Sequence, residues 1–170
     1  TLPSLIPIFK EDFNVGIDTL GFVVSVSALF FGLGAIPAGW MDRYFGKKKL
    51  LIIYQIGSSI SAIFIAFSSN FFSLVLGLSL LGLFCSIYHP TGLTLISQRI
   101  SNISKGMAIH GMFGSMGSAI GPLLAVFIAS IFSWRHSYLF LGILNGFLSI
   151  ITFFLISKRS IIIKNSASVN

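Results

Sequence analysis

The sequence predicts an all-α, polytopic transmembrane helix bundle, and three observations carry that reading. The first is composition. Of 170 residues, 55% are hydrophobic and 9% charged, with 18 Phe and a mean hydropathy of +0.96, too little polar surface to cover the core of a soluble domain. The second is spacing. Residues 19–41, 50–98, 106–134 and 137–157 contain no charged side chain, and about 18 or more such residues suffice to cross a hydrocarbon core as helix. The third is the placement of cations. The turn Asp42-Arg43-Tyr44-Phe45-Gly46-Lys47-Lys48-Lys49 separates the first two runs, and its four cations assign it to the cytoplasmic side. Alternating the spans from there puts Arg99, Lys105, Lys158, Arg159 and Lys164 on the same side, so nine of eleven cations are inside. Lys10 and Arg135 are left outside, with Glu11, Asp12 and Asp18 in the first outer loop.

The elements follow in order. Residues 1–9, too short to cross a bilayer and without a basic leader pattern, read as the outer end of a truncated first helix. Residues 10–18 read as a polar outer loop, with Asp18 or Thr19 capping the next helix. A second span covers about 20–41. The uncharged run 50–98 is about twice the length of a span and must turn back; Ser68-Ser69-Asn70 is the polar cluster where it does so. That gives spans at 50–67 and 71–96, an inner loop at 99–105, and further spans at 106–134 and 137–157. Residues 1–157 therefore form one transmembrane bundle, and residues 158–170 the start of a cytoplasmic linker. Short turns make neighbouring helices antiparallel.

Several chemistries are excluded by the same pattern. The net charge of +7 comes from cations confined to inner loops and a tail, which speaks against a nucleic-acid partner. Cys85 is the sole cysteine and reads as a small buried hydrophobe, with no metal or disulfide framework around it. There are no paired carboxylates and no metal-ligand spacing. The glycine-rich run 111–121 lies inside an apolar span and cannot cradle phosphate. Neither enzyme activity nor a cofactor is expected.

The inner turn resembles the signature loop of the major facilitator superfamily: a glycine, three residues, Asp-Arg, one residue, a glycine and two basic residues. Asp42-Arg43 and Lys47-Lys48 match; Ala38 stands where the first glycine is usual, and Phe45 delays the second glycine to Gly46. Gly117-Ser118-Ala119-Ile120-Gly121-Pro122 resembles the Gly-three residues-Gly-Pro motif of superfamily exporters, and Trp134-Arg135 a common outer-loop pattern. Within the superfamily, Leu2-Pro3 with Pro7, Tyr88-His89-Pro90, and the run from Gly111 to Pro122 are similar to the fosmidomycin resistance type. An arginine common in exporters, four residues before a glycine, is replaced by Leu78 ahead of Gly82.

The resemblance implies the N-terminal six-helix half of a secondary transporter in a bacterial cytoplasmic (inner) membrane. That half would face a missing C-terminal half across a central path and work by alternating access. Proton-driven efflux of small molecules or drugs, as an antiporter, is the expected activity. Uptake of a sugar or organic acid, or a non-transporting scaffold subunit, are the alternatives.

Candidate residues follow. Asp42, Arg43, Gly46, Lys47 and Lys48 form the signature loop. Asp42 either closes an inner gate, by pairing with Arg43 or with a helix N-terminus of the other half, or merely ends its span. The lysines either serve that gate or fix topology against anionic lipid. Gly111, Gly114, Ser115, Gly117, Ser118 and Gly121 share one face at spacings of three and four. They serve either as a close-packing surface or as a hinge, with a bend expected at Pro122. His89, beside Pro90, is a candidate for the substrate or proton path, because an intramembrane histidine titrates near working pH. Gln55, Asn145 and His110 are further polar groups within apolar spans, and His110 also fits an interfacial structural role.

Overall fold

A computed structural model describes residues 3–155, apart from the side chain of Arg43. Among the described residues there are only helices: a 3-10 turn at Pro3–Leu5, then α1 (Ile6–Asp12), α2 (Ile17–Ala66), α3 (Phe71–Ser86), α4 (Tyr88–Arg99), α5 (Ile103–Ile131) and α6 (Trp134–Leu155). Five stretches are long and apolar enough to cross a membrane: Ile17–Asp42, Tyr44–Ala66, Phe71–Arg99, Ile103–Ile131 and Trp134–Leu155. These are called spans one to five below. The linker expected at 158–170 lies outside the described residues.

The 50-residue α2 is two spans in one. Two helices meet at a kink, where Gly46 alone leaves the helical region, at φ 73° and ψ 155°. That combination is essentially restricted to glycine, because a Cβ would collide with the backbone. The eight-residue charged turn expected between the runs is thus a one-residue break, with Asp42 and the lysines on helical backbone. The chain nonetheless reverses there. Ser27 Oγ donates to Leu78 O at 3.0 Å and Gly34 faces Ser86, so span one runs parallel to α3. Gly57 faces Phe84 and Gly77 faces Ile65, so span two runs antiparallel to α3. Span five is antiparallel to span two, since Ser59 Oγ donates to Gly142 O at 2.7 Å and Lys48 Nζ to Phe153 O at 2.7 Å.

Close packing falls on glycines other than those expected. A Cβ at Gly82 would lie 2.5 Å from Ser27 O, a backbone atom that cannot yield, and one at Gly142 would lie 2.7 Å from Ile63. Gly111, Gly114 and Gly117 meet nothing within 4 Å. The small-residue face of α5 therefore packs on no other helix among the described residues, and only 6% of the apolar stretch of α5 is buried, against 44% for span two. The helix also passes through Pro122 without interruption.

Three boundaries differ from expectation for local reasons. Lys10, Glu11 and Asp12 belong to α1 rather than to a loop. The helix after it is capped by Gly16, with no side-chain cap, and Asp18 sits in the first turn, where the helix dipole favours an acid. The span expected as one helix over 71–96 is divided at Ile87 into α3 and α4. Pro90 offers no N–H to Ser86 O, and Ile87 N turns to the tighter Phe84 O at 3.2 Å. Ile87 itself stays helical, at φ −65° and ψ −30°. The turn at 68–70 is where it was expected, with Asn70 and Ser73 forming a reciprocal cap.

The main core lies toward one end. Leu5, Phe9, Leu20, Ile65, Leu74, Leu78, Ala125, Trp134 and Tyr138 are buried together, drawing on the 3-10 turn and every α-helix except α4. A smaller cluster at the other end joins Ala38, Leu50 and Ile87.

Candidate functional site

A cavity of about 860 Å³ opens on α4 and α5, within the range usual for small-molecule sites. One wall is the start of α4, with Tyr88, His89 and Leu93; the other is the small-residue face of α5, from His110 and Gly111 through Gly114 and Ser115 to Ser118 and Ala119. The helical repeat explains the second wall. Residues 110, 114 and 118 and residues 111 and 115 stack at four-residue intervals, so two serines and two glycines line up below the imidazole.

The ring groups of the cavity are mutually supported. Tyr88 OH and His110 Nδ1 lie 3.4 Å apart, with ring centroids at 5.7 Å. Tyr88 also stands 5.2 Å from the Tyr54 ring and 5.8 Å from that of His89. His89 is exposed to the cavity, with the Phe31 ring edge-on at 5.7 Å. It has no hydrogen bond to another described residue that would compete for its ring nitrogens. An imidazole so placed is available to water or to a bound solute, as donor or acceptor.

A second, smaller recess of about 40 Å³ lies between span one and α4, lined by Ala38, Gly39, Asp42, Pro90, Thr91 and Thr94. At its mouth Lys47 Nζ donates to Asp42 Oδ2 at 2.5 Å. Asp42 therefore pairs with a cation five residues ahead, across the break at Gly46. Lys48 takes a different role. Its ammonium sits on Phe153 O and 4.9 Å from the Phe153 ring centroid, which ties span two to the end of α6.

Not all the polar candidates converge. His89 and His110 share the large cavity, and Pro90 and Asp42 the small recess. Gln55 is half-buried, with Oε1 unpartnered, and lines neither. Asn145 Nδ2 donates to Leu141 O at 3.0 Å, one turn back in its own helix. Gly117 is exposed beside the cavity wall, and Gly121 and Pro122 are half-buried.

Sequence reasoning named Tyr88 in the Tyr88-His89-Pro90 pattern but gave it no site role, because a tyrosine in an aromatic-rich span carries no distinguishing signal. It also left the outer polar cluster unassembled. Asp12 Oδ2 accepts from Trp134 Nε1 at 3.0 Å and from Arg135 at 3.1 Å, and Arg135 reaches on to Ser68 O at 3.3 Å. The clue was present in the two outer-side ions of opposite charge, Asp12 and Arg135, far apart in the chain.

The family profile described as Major Facilitator Superfamily matches residues 1–168. Among curated proteins, the quinolone resistance protein NorB of Staphylococcus aureus, strains JH9 and Newman, is 27% identical over 172 residues. The match takes in 100% of this chain and 36% of those relatives, so the chain spans about a third of their length.

Proposed function

The chain belongs to the major facilitator superfamily and is a multi-pass integral membrane protein, and on that premise we propose that it forms one half of a secondary transporter that exports small molecules. The observation that carries the reading is the cavity of about 860 Å³, open along the unpacked glycine and serine face of α5 and holding an exposed imidazole, His89. A polar group at that depth is costly against lipid and is retained where it meets water, solute or protein. The open face of α5 is then the side on which a second six-helix half closes the path, and substrate passes as the halves rock. Family membership points to transport rather than to an enzyme.

Drug export is the favoured direction. The Tyr88-His89-Pro90 and Gly117–Pro122 patterns resemble the fosmidomycin resistance type, and the relatives carry the name of quinolone resistance proteins. The Asp42–Lys47 pair at the one-residue break is the inner gate. His89 carries the coupled proton. A membrane-facing export pump of this kind would sit in a bacterial cytoplasmic membrane.

The test is His89→Gln in the full-length protein that contains this chain. Glutamine keeps hydrogen bonding but has no ring nitrogen to take up a proton. Substrate binding should persist while accumulation driven by a proton gradient is lost. Loss of both would move His89 to a binding or folding role; retention of both would make it structural.

A further inference from the structure

The small recess holds two buried oxygens, Asp42 Oδ1 and Thr91 Oγ1, that have no hydrogen-bond partner among the described residues. Thr91 is 2% exposed. A helical threonine ordinarily turns its hydroxyl back to the preceding turn, as Thr94 does to Pro90 O at 2.6 Å. Thr91 bonds Ile87 O through its backbone N–H at 3.4 Å, but its hydroxyl makes no such bond. We propose that the recess is a binding site for one buried water molecule, which donates to Asp42 Oδ1, shares a hydrogen bond with Thr91 Oγ1, and so links the inner end of span one to α4.

Size and chemistry both fit water. The recess measures about 40 Å³; a buried water needs roughly 10–15 Å³ of accessible volume and two to four polar partners. An ionised carboxylate only accepts and a hydroxyl does both, so a molecule with two donors and two acceptors satisfies the pair. A metal cation fits less well, because Lys47 already lies 2.5 Å from Asp42 and would repel a second positive charge. The link has a mechanical consequence. Thr91 lies in the first turn of α4, and that turn carries His89 into the cavity. The water therefore couples Asp42 to the cavity wall. The hydration site does not depend on the transport reading; the importance of this coupling does.

The test is the thermal unfolding midpoint, in lipid nanodiscs, of the full-length protein that contains this chain, because the sign of one substitution decides. If water bridges the two groups, Thr91→Val removes a satisfied hydroxyl and lowers the midpoint by about 2–4 °C. Thr91→Ser keeps the hydroxyl and loses only a buried methyl, so Thr91→Ala should melt about 2–4 °C below Thr91→Ser. In an Asp42→Ala background Thr91→Val should lose at least half its effect, because neighbours sharing a partner are not additive. An unchanged or raised midpoint in Thr91→Val would mean the hydroxyl was unsatisfied and the site dry, which overturns the proposal; so would full additivity with Asp42→Ala. A wild-type midpoint that rises in NaCl over choline chloride at equal ionic strength, and ceases to do so in Thr91→Val, would replace water by a cation. Should Thr91→Val fail to insert, Thr91→Ala against Thr91→Ser gives the same contrast.

Discussion

The two ends of the bundle are built on different principles. At the end expected to face outward, Asp12, Ser68 and Arg135 bring together three connections far apart in sequence, over an aromatic cluster in which the Trp134 ring lies 4.9 Å from Phe9 and 6.2 Å from Tyr138. Arg135 also lies 4.3 Å from the Trp134 ring centroid, so its charge is matched by both an acid and a π face. At the inner end the contacts are local or sparse: an ion pair within α2, one lysine on Phe153 O, and Tyr44 standing 84% exposed. The one-residue break at Gly46 and the start of α4 at Ile87 lie toward the end that holds the smaller cluster of Ala38, Leu50 and Ile87.

The sharpest way to break this comparison is to ask which end faces outward. With Cys85 replaced, single cysteines at Asn14 and Ser69 should be labelled from outside by an impermeant thiol reagent, and one at Ser104 should not, an all-or-none difference. Outside labelling at Ser104 would invert the two ends. Next in size is the hub itself. Trp134 is 2% exposed, and Trp134→Ala should destabilise the chain by about 3–5 kcal/mol in thermal or denaturant unfolding. Tyr44→Ala at the inner end should change the same measurement by about 0.5 kcal/mol or less. Comparable effects at the two sites would remove the asymmetry. Smaller again is Gly46→Ala. Its φ of 73° and ψ of 155° are closed to alanine without strain, so stability should fall by about 1–3 kcal/mol. Gly39→Ala, with nothing within 4 Å of the added Cβ, is the matched control and should be near neutral.

Much of this architecture was legible beforehand. Helix class, membrane habit, the 68–70 turn and the reversal near Gly46 follow from runs of uncharged residues and from charge placement, because a helix in hydrocarbon must satisfy its own backbone and hide no charge. The outer-side Arg135 looked like an exception to the cation rule. Its explanation, Asp12 at 3.1 Å, requires residues 123 apart to meet. The α5 glycines show a limit of the same kind. Their spacing gave their common face, yet spacing carries no information about what lies opposite, and the close approaches among the described helices are at Gly82 and Gly142.

What the sequence by itself determined is the local physics: which stretches are helix, where a glycine must bend the backbone, and where a proline withholds a hydrogen bond. Gly46 and Pro90 act through their own covalent geometry, so their effect is readable without neighbours. Which of the polar candidates share a site was decided only by the tertiary structure. His89 and His110, 21 positions apart, meet across one cavity, Asp42 and Thr91 across another, and Asn145 turns to its own helix. Each outcome depends on the rotation and depth of packed helices, and those are set by side-chain volumes summed over the whole interface rather than by any one residue.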